Sequence, residues 1–242
     1  MSALLEADRM SVGHGGGPPV VHDLTLEVNP GEVVALLGAN GAGKTTTLLA
    51  LAGELPVAAG EVRWRGDARR TPLHQRARSG MAFIGDDRSV LMELSVRDNL
   101  RIGRCDPDRA LAHAPELAEF LGKRAGLLSG GQQQMLTIAR ALGRDPEVLL
   151  ADELSLGLAP QIVDRLLGTI RRAADEGLGV LLVEQQVEKA LAVADRVYVL
   201  RGGRMVYGGP AADARRAIDE IEAAYLGGDV PPREPTEHQE TM

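Results

Sequence analysis

The sequence is poor in cysteine, aromatic residues and lysine, and the first two shortages exclude or disfavour particular structures and functions. Cys105 is the single cysteine, so a disulfide within the chain is excluded and a reducing compartment fits. Aromatic residues make up 2% of the 242 residues, and the formal net charge is −7. Few rings for base stacking, together with the lack of a basic patch in the sequence, argue against a nucleic-acid-binding protein.

Long hydrophobic runs are also missing. A membrane-spanning helix needs about 20 apolar residues, and no run in the sequence approaches that length. The opening MSALLEADRM has acidic residues where a secretory signal carries basic ones. The hydrophobic fraction of 44% supports a real core, in one large or two small domains. We therefore expect a soluble chain, which another chain would have to hold if it works at a membrane.

One of the few lysines lies in a glycine-rich stretch, GANGAGKTTT. The stretch fits the pattern G-x-x-x-x-G-K-[ST] at Gly38, Gly43, Lys44 and Thr45. An aliphatic run with strand character precedes it, and a helix-length segment that stops at Gly53 follows it. A strand, a glycine loop and a helix start form an anion cradle of inward-turned backbone N–H groups.

In such a cradle, Lys44 would reach the β- and γ-phosphates of a nucleotide, and the Thr45 hydroxyl would bind Mg²⁺. The alternative is a glycine-rich turn without a ligand.

Short apolar runs alternate with helical patterns along the chain, which predicts an α/β fold with a mostly parallel sheet. Strands are predicted at 33–38, 81–85, 148–152, 179–184 and 196–200, and helices at 132–142, 160–175 and about 186–194. A hairpin is predicted to turn at Gly202 and Gly203. The first 30 residues resemble edge strands around a loop at GHGGGPP.

The domain organisation predicted is a single domain over 1–226. Its core spans about 1–86 and 146–226, and a helical subdomain is inserted at about 87–145, where strand-like runs are missing. The proline-rich polar tail, 227–242, is predicted to be disordered.

Two carboxylates end the predicted strand VLLAD. At the carboxyl end of a strand, Asp152 and Glu153 would face the phosphate loop of the neighbouring strand. Asp152 suits Mg²⁺, directly or through water, and Glu153 is placed to polarise an attacking water. The alternative is a solvated acidic loop.

A second helix start lies in LLSGGQQQ. Ser129 and Gln132 fit a capping box, and the two glycines between them leave the first amides of the helix exposed. One nucleotide has one γ-phosphate, so a second cradle makes sense if it serves the nucleotide of another copy. The sequence alone also allows a plain loop here.

These motifs, in this order and spacing, closely resemble the nucleotide-binding subunit of ABC transporters. The stretches that carry the resemblance are GANGAGKTT, LSGGQQQ, VLLADE and SLGLAP, and it extends from Leu4 to about Leu226. LLGANGAGKTT, LSVRDNL, SLGLAPQIV and LLVEQQVEKAL are most similar to the LivF-type ATPases of branched-chain amino-acid importers and their relatives for urea or other amides.

The resemblance implies a P-loop NTPase fold of the ABC ATPase type and ATP hydrolysis coupled to transport. Two chains would pair head to tail around two ATP molecules with Mg²⁺. Residues 156–159 would reach across the dimer interface. Residues 86–99 would contact transmembrane permease subunits at the cytoplasmic face of the membrane. A solute-binding protein would take part indirectly, without contacting this chain. The implied ATP-binding residues are Gly38, Ala39, Asn40, Gly41, Ala42, Gly43, Lys44, Thr45 and Thr46 of one chain and Ser129, Gly130, Gly131 and Gln132 of the other.

Four positions depart from the family pattern. Asp86 stands where the family usually has a metal-contacting glutamine, and Gln185 stands where a switch histidine is usual. Gln185 can hydrogen-bond the γ-phosphate but cannot act as a titrating base, which leaves Glu153 for that role. His14 falls at the place of the adenine-stacking aromatic and is either a weaker stacking ring or a loop residue. Leu154 replaces a common proline, for which we have no physical account.

Other functions remain open at this level. The cargo could belong to another importer or to an exporter, which the neighbouring genes would distinguish. A soluble ABC protein of translation or DNA repair usually has two ATPase units or a long coiled-coil insert. A small-molecule kinase would have no use for the LSGGQ stretch.

Overall fold

The computed structural model describes residues 3–15, 17–87 and 89–216, so the predicted disordered tail lies outside the described residues. The strands are β1 Leu5–Val12, β2 Val21–Val28, β3 Val33–Gly38, β4 Val57–Trp64, β5 Met81–Ile84, β6 Val148–Asp152, β7 Gly179–Glu184, β8 Arg196–Arg201 and β9 Arg204–Pro210. The α-helices are α1 Lys44–Ala52, α2 Leu73–Arg78, α3 Val96–Ile102, α4 Pro107–His113, α5 Gly130–Leu142, α6 Pro160–Asp175, α7 Val187–Val193 and α8 Ala211–Arg216.

The main sheet has the strand order β5-β6-β7-β3-β8-β9. All neighbouring pairs are parallel except the β8–β9 pair, which is the antiparallel hairpin predicted to turn at Gly202 and Gly203. The predicted α/β class, a mostly parallel sheet with an antiparallel β edge, is therefore confirmed.

Strand β3 lies between two hydrophobic cores. Every residue of β3 is buried, and successive side chains point to opposite faces of the sheet. Val33, Ala35 and Leu37 pack in the core that contains α5 and α6. Val34 and Leu36 pack in the core that contains α1, β1 and β2. Burial on both faces explains why this strand has a continuous aliphatic sequence.

The N-terminal strands form a sheet of their own, with the order β2-β1-β4 and antiparallel pairing. The prediction of strands around the GHGGGPP loop is right. β2 is an edge strand of this sheet, as expected, whereas β1 is central, between β2 and β4. The sheet packs against one face of the main sheet, in the core that contains Val34 and Leu36. The sequence did not reveal β4. Its first half is largely exposed, and Gly60 (φ 73°) interrupts the pattern where a Cβ would lie 2.2 Å from the Arg9 carbonyl oxygen.

Helices fill the chain between β5 and β6. Among the described residues of this stretch there are α3, α4, α5, two 3₁₀ turns and one isolated bridge between Ser95 and Arg124. Helix α5 covers the helix predicted at 132–142 and begins two residues earlier. Leu100, Leu117 and Leu136 join these helices to the same core as the main sheet.

Asn99 fixes the loop that leads into α3. Its side chain is fully buried, and its Oδ1 accepts from the Leu91 N–H at 2.9 Å. Its Nδ2 donates to the carbonyl oxygens of Leu91 at 3.0 Å and Ser95 at 3.0 Å. One amide therefore satisfies backbone groups on both sides of the turn between residues 91 and 95.

We predict that Asn99→Ala lowers the free energy of unfolding by about 1–3 kcal/mol, because buried backbone groups lose their partners. The matched change Arg101→Ala, on the exposed side of the same helix, should stay within about 0.5 kcal/mol of the wild type. Urea denaturation followed by circular dichroism measures both values. Equal stability of the two variants would contradict the role given to Asn99.

Candidate functional site

Three parallel strands end at one edge of the main sheet, and each end carries a polar stretch. The loop after β3 begins at Gly38, β6 ends at Asp152 before Glu153, and β7 ends at Glu184 before Gln185. Our expectation that β6 neighbours β3 is wrong, because β7 lies between them. The three ends still meet, since parallel strands present their carboxyl ends at the same edge.

A cleft of about 490 Å³ opens at this edge. It unites the glycine loop with residues that follow β6 and β7. The lining residues are Val20, Asn40, Gly41, Gly43, Lys44, Thr45, Thr46, Glu153, Leu156 and Gln185.

The glycine loop leads directly into α1. Gly43 is the residue before the helix and has φ 102°, in the left-handed region. A Cβ at this position would lie 2.7 Å from Val21 Cγ2, so the position requires glycine. The helix therefore starts at Lys44, with its first N–H groups at the cleft, and ends at the predicted Gly53. This arrangement can hold an anion such as a phosphate.

Lys44 is a buried ammonium at the centre of the loop, with 4% of its surface exposed. Its Nζ donates to the carbonyl oxygens of Gly38 at 2.8 Å and Ala39 at 3.2 Å. It also lies 3.7 Å from Glu153 Oε1. The loop carbonyls and the carboxylate thus hold the ammonium at the floor of the cleft.

Asp152 is a buried carboxyl group beside the Thr45 side chain. The residue is 2% exposed, and its Oδ1 has no hydrogen-bond partner within the described residues. Burial raises the pKa of Asp152, while a hydrogen bond with the Thr45 side chain lowers it. A hydroxyl beside an unpartnered carboxylate oxygen fits Mg²⁺, which uses one or two protein oxygens together with phosphate and water. No group of three or more His, Cys, Asp or Glu side chains in the described ranges could hold a metal alone.

Glu153 has an unusual backbone conformation. Its φ is 47°, in the left-handed region, which costs a residue other than glycine about 1–3 kcal/mol. The Glu153 N–H donates to the Val183 carbonyl oxygen at 2.9 Å, which helps to hold this conformation. Strained residues of this kind concentrate at functional sites.

Sequence reasoning missed a buried pair beside Glu153. Glu184, 1% exposed, accepts hydrogen bonds from the backbone N–H and the hydroxyl of Ser155, at 3.1 and 2.6 Å. Burial raises the pKa of Glu184, and the hydrogen bonds from Ser155 act in the opposite direction. The only available signal was a glutamate at the end of an aliphatic strand.

The structure places His14 against the first turn of α1 and leaves Asp86 at the surface. His14 Nε2 lies 3.1 Å from Thr46 Oγ1, so the imidazole contacts α1. Asp86 is exposed, and its Oδ1 accepts from the Asp87 N–H at 2.9 Å. Its charge nevertheless contributes to the raised pKa of Asp152. Neither His14 nor Asp86 lines the cleft.

The second predicted anion cradle lies at the start of α5. The capping box is confirmed, because Ser129 N–H donates to Gln132 Oε1 at 2.9 Å and Gln132 N–H donates to Ser129 Oγ at 3.3 Å. Residues 129–132 do not line the cleft of the same chain. Leu127, two residues before Ser129, is a large apolar side chain with 66% of its surface exposed. Leu156, which lines the cleft, is another, with 62% exposed.

Comparison with known proteins gives consistent matches. The ABC transporter family matches residues 21–155. The high-affinity branched-chain amino acid transport ATP-binding protein BraG of Pseudomonas aeruginosa is 40% identical over 235 residues, which are 93% of this chain and 100% of BraG. The lipopolysaccharide export system ATP-binding protein LptB of Escherichia coli is 35% identical over 228 residues, which are 88% of this chain and 93% of LptB.

A solved structure described as the ATP binding subunit of an ABC transporter has a TM-score of 0.78 and 27% identity, and the match covers 92% of this chain and 99% of that one. Within the described ranges, no helix has both the length and the apolar character needed to cross a bilayer. A family match across more than half of the sequence, together with 40% identity to a transport subunit over nearly all of it, places this chain among the ATP-binding subunits of the ABC transporter family.

Proposed function

We propose that this subunit binds ATP with Mg²⁺ and hydrolyses it to drive the import of branched-chain or related amino acids or amides. The observation that carries the ATPase part is the meeting of Lys44, Thr45, Asp152 and Glu153 at one strand edge, around a cleft with a helix N-terminus. Family membership supports ATP hydrolysis, because ABC ATPases share this activity.

Each residue has a proposed role in the reaction. Backbone N–H groups of 38–46 and the Lys44 ammonium hold the phosphates. Thr45 and Asp152 hold Mg²⁺, which neutralises phosphate charge when it is bound. Glu153 takes a proton from water, whose oxygen bonds to the γ-phosphorus as the bond to ADP breaks. Gln185, at the cleft wall, hydrogen-bonds the γ-phosphate.

We propose further that two ATPase subunits, identical or closely related, close around the nucleotides. Ser129, Gly130 and Gly131 of one subunit then approach the γ-phosphate held by the other. Two features support this arrangement: the start of α5 is accessible and does not line its own cleft, and Leu127 and Leu156 are exposed apolar side chains. His14, held by Thr46, stacks on the adenine.

The cargo proposal rests on the 40% identity with BraG over 93% of the chain. The subunit is proposed to lie at the cytoplasmic face of the membrane, with residues 86–99 against permease subunits and a solute-binding protein on the other side. The division into a core and a helical subdomain at about 87–145 belongs to the same proposal. The alternative cargo is an exported lipid, favoured by the 35% identity with LptB.

We predict that Glu153→Gln keeps ATP binding and dimer formation but lowers the hydrolysis rate by about 10²–10⁴-fold, the usual share of a general base. Phosphate release measures the rate, and size-exclusion chromatography with Mg-ATP measures the dimer. Glu176→Gln, at an exposed position after α6, is the matched control and should keep the wild-type rate. Turnover near the wild-type rate in Glu153→Gln, or phosphate transfer to an acceptor other than water, would refute this role.

We predict that Asp152→Asn removes the effect of Mg²⁺ on ATP binding. In the wild type, Mg²⁺ should raise the melting temperature beyond the value with ATP alone, because a ligand of the native state stabilises it. In Asp152→Asn the two temperatures should agree, whereas the exposed control Asp164→Asn should behave as the wild type. If Mg²⁺ raised the melting temperature of Asp152→Asn as much as that of the wild type, this carboxylate would be excluded as a metal ligand.

The cargo is tested by the membrane partners. We expect affinity purification of the tagged subunit to bring down two permease subunits, and deletion of its gene to abolish uptake of radiolabelled leucine. Complementation with Glu153→Gln should fail while the Glu176→Gln control succeeds, which ties uptake to hydrolysis. Normal leucine uptake together with a lipid-export defect would favour the alternative.

A further inference from the structure

Three hydrogen bonds tie the turn after β6 to the end of β7. The Glu153 N–H donates to the Val183 carbonyl oxygen at 2.9 Å. The Ser155 N–H donates to Glu184 Oε1 at 3.1 Å, and the Ser155 hydroxyl donates to Glu184 Oε2 at 2.6 Å. Both oxygens of one carboxylate are thus used to hold a single serine, and the exposed fractions are 1% for Glu184 and 5% for Ser155.

A buried carboxylate at this position is costly. Among the described residues Glu184 has no ion pair, and its nearest partners are Ser155 and the Gln185 backbone. An apolar side chain would avoid the cost of burying a charge. What Glu184 does at this position is restrain Ser155, because one side chain accepts hydrogen bonds from both the backbone N–H and the hydroxyl of that residue.

The pair connects the parts of the site that act on the γ-phosphate. Glu184 directly precedes Gln185, and Ser155 lies two residues after Glu153 and directly before Leu156. Gln185, Glu153 and Leu156 all line the cleft. Glu153 has the left-handed φ of 47°, which its surroundings must maintain. Fixing Ser155 restricts both ends of this turn: the carboxylate of Glu153 before it and the exposed Leu156 after it.

We infer that Glu184 is a positioning residue, which acts through Ser155 to hold the Glu153 carboxylate toward the phosphate loop and to set the path of residues 156–159. The inference rests on the proposed ATPase function and deepens it. Glu184 touches neither the nucleotide nor water in this account. Its role is geometric, so a neutral side chain of the same shape can replace it.

The test compares the steady-state Mg-ATPase kinetics of four variants with the wild type. Glu184→Ala and Ser155→Ala should each lower kcat by about 10- to 100-fold, the range expected from misplacing a catalytic group, with KM for ATP changed less than twofold. Glu184→Gln should keep kcat within about threefold, because its amide can still accept from the Ser155 N–H and bond the hydroxyl. Glu184→Ala combined with Ser155→Ala should be no slower than the slower single variant, as expected for residues that act as a unit.

Thr169→Ala is the matched control, because it removes another buried hydroxyl, which donates to the Arg165 carbonyl oxygen in α6, away from the cleft. It should keep the wild-type kcat. Thermal unfolding of every variant shows which are folded at the assay temperature; if Glu184→Ala is not folded, Ser155→Ala and Glu184→Gln decide the question.

Wild-type kcat in the folded Glu184→Ala or Ser155→Ala variant would overturn the inference, and so would additive losses in the double variant. A loss in Glu184→Gln as large as in Glu184→Ala would also overturn it, since the charge and not the geometry would then matter. These outcomes differ from failure of the proposed function, in which the wild type itself would release no phosphate from ATP.

Discussion

The register of three parallel strands is the constraint on which the site depends. Leu37 of β3 pairs with Glu184 of β7, and Val183 of β7 pairs with Asp152 of β6. The ladder hydrogen bonds therefore set where the glycine loop after β3, Asp152 and Glu184 lie relative to one another. Burial of β3 on both faces fixes this register, because a slip by one residue would move each side chain to the opposite core.

The site carries conformations and charges that do not favour stability by themselves. Gly43 and Glu153 have positive φ, and Asp152 and Glu184 are buried carboxyl groups with raised pKa. A carboxyl group whose pKa is higher in the folded than in the unfolded state stabilises the fold only at low pH, and this contribution is lost as the pH rises through its folded pKa. At neutral pH both groups therefore cost stability, which the two cores beside β3 must offset.

Local pattern was enough to predict the strands of the main sheet, the hairpin at Gly202 and Gly203, and the capping box at the start of α5. These features depend on neighbouring residues: an aliphatic run, a glycine pair, a serine three residues before a glutamine. Features that depend on tertiary pairing were missed or misplaced. Strand β4 has a half-exposed sequence, and the insertion of β7 between β3 and β6 leaves no trace in either strand.

The distinction between features set by neighbouring residues and features set by tertiary contacts also applies to the candidate site. The pattern around Lys44 was enough to predict a phosphate loop, because its chemistry is local and its spacing is strict. The bond between Ser155 and Glu184 joins residues 29 positions apart, so no local pattern could predict it. The contact of His14 with Thr46, over 32 positions, is of the same kind.

In the proposed dimer, the position of Ser155 would connect subunit contact with hydrolysis. In the proposed dimer the exposed Leu156 and the residues after it meet the second subunit. Any displacement of that segment reaches Ser155 first, and the two hydrogen bonds to Glu184 resist it. Because Glu153 is two residues before Ser155, its strained backbone would adjust together with the segment. In this proposal, the Glu153 carboxylate would be held correctly only when the neighbouring subunit is in place, so hydrolysis would depend on closure of the dimer.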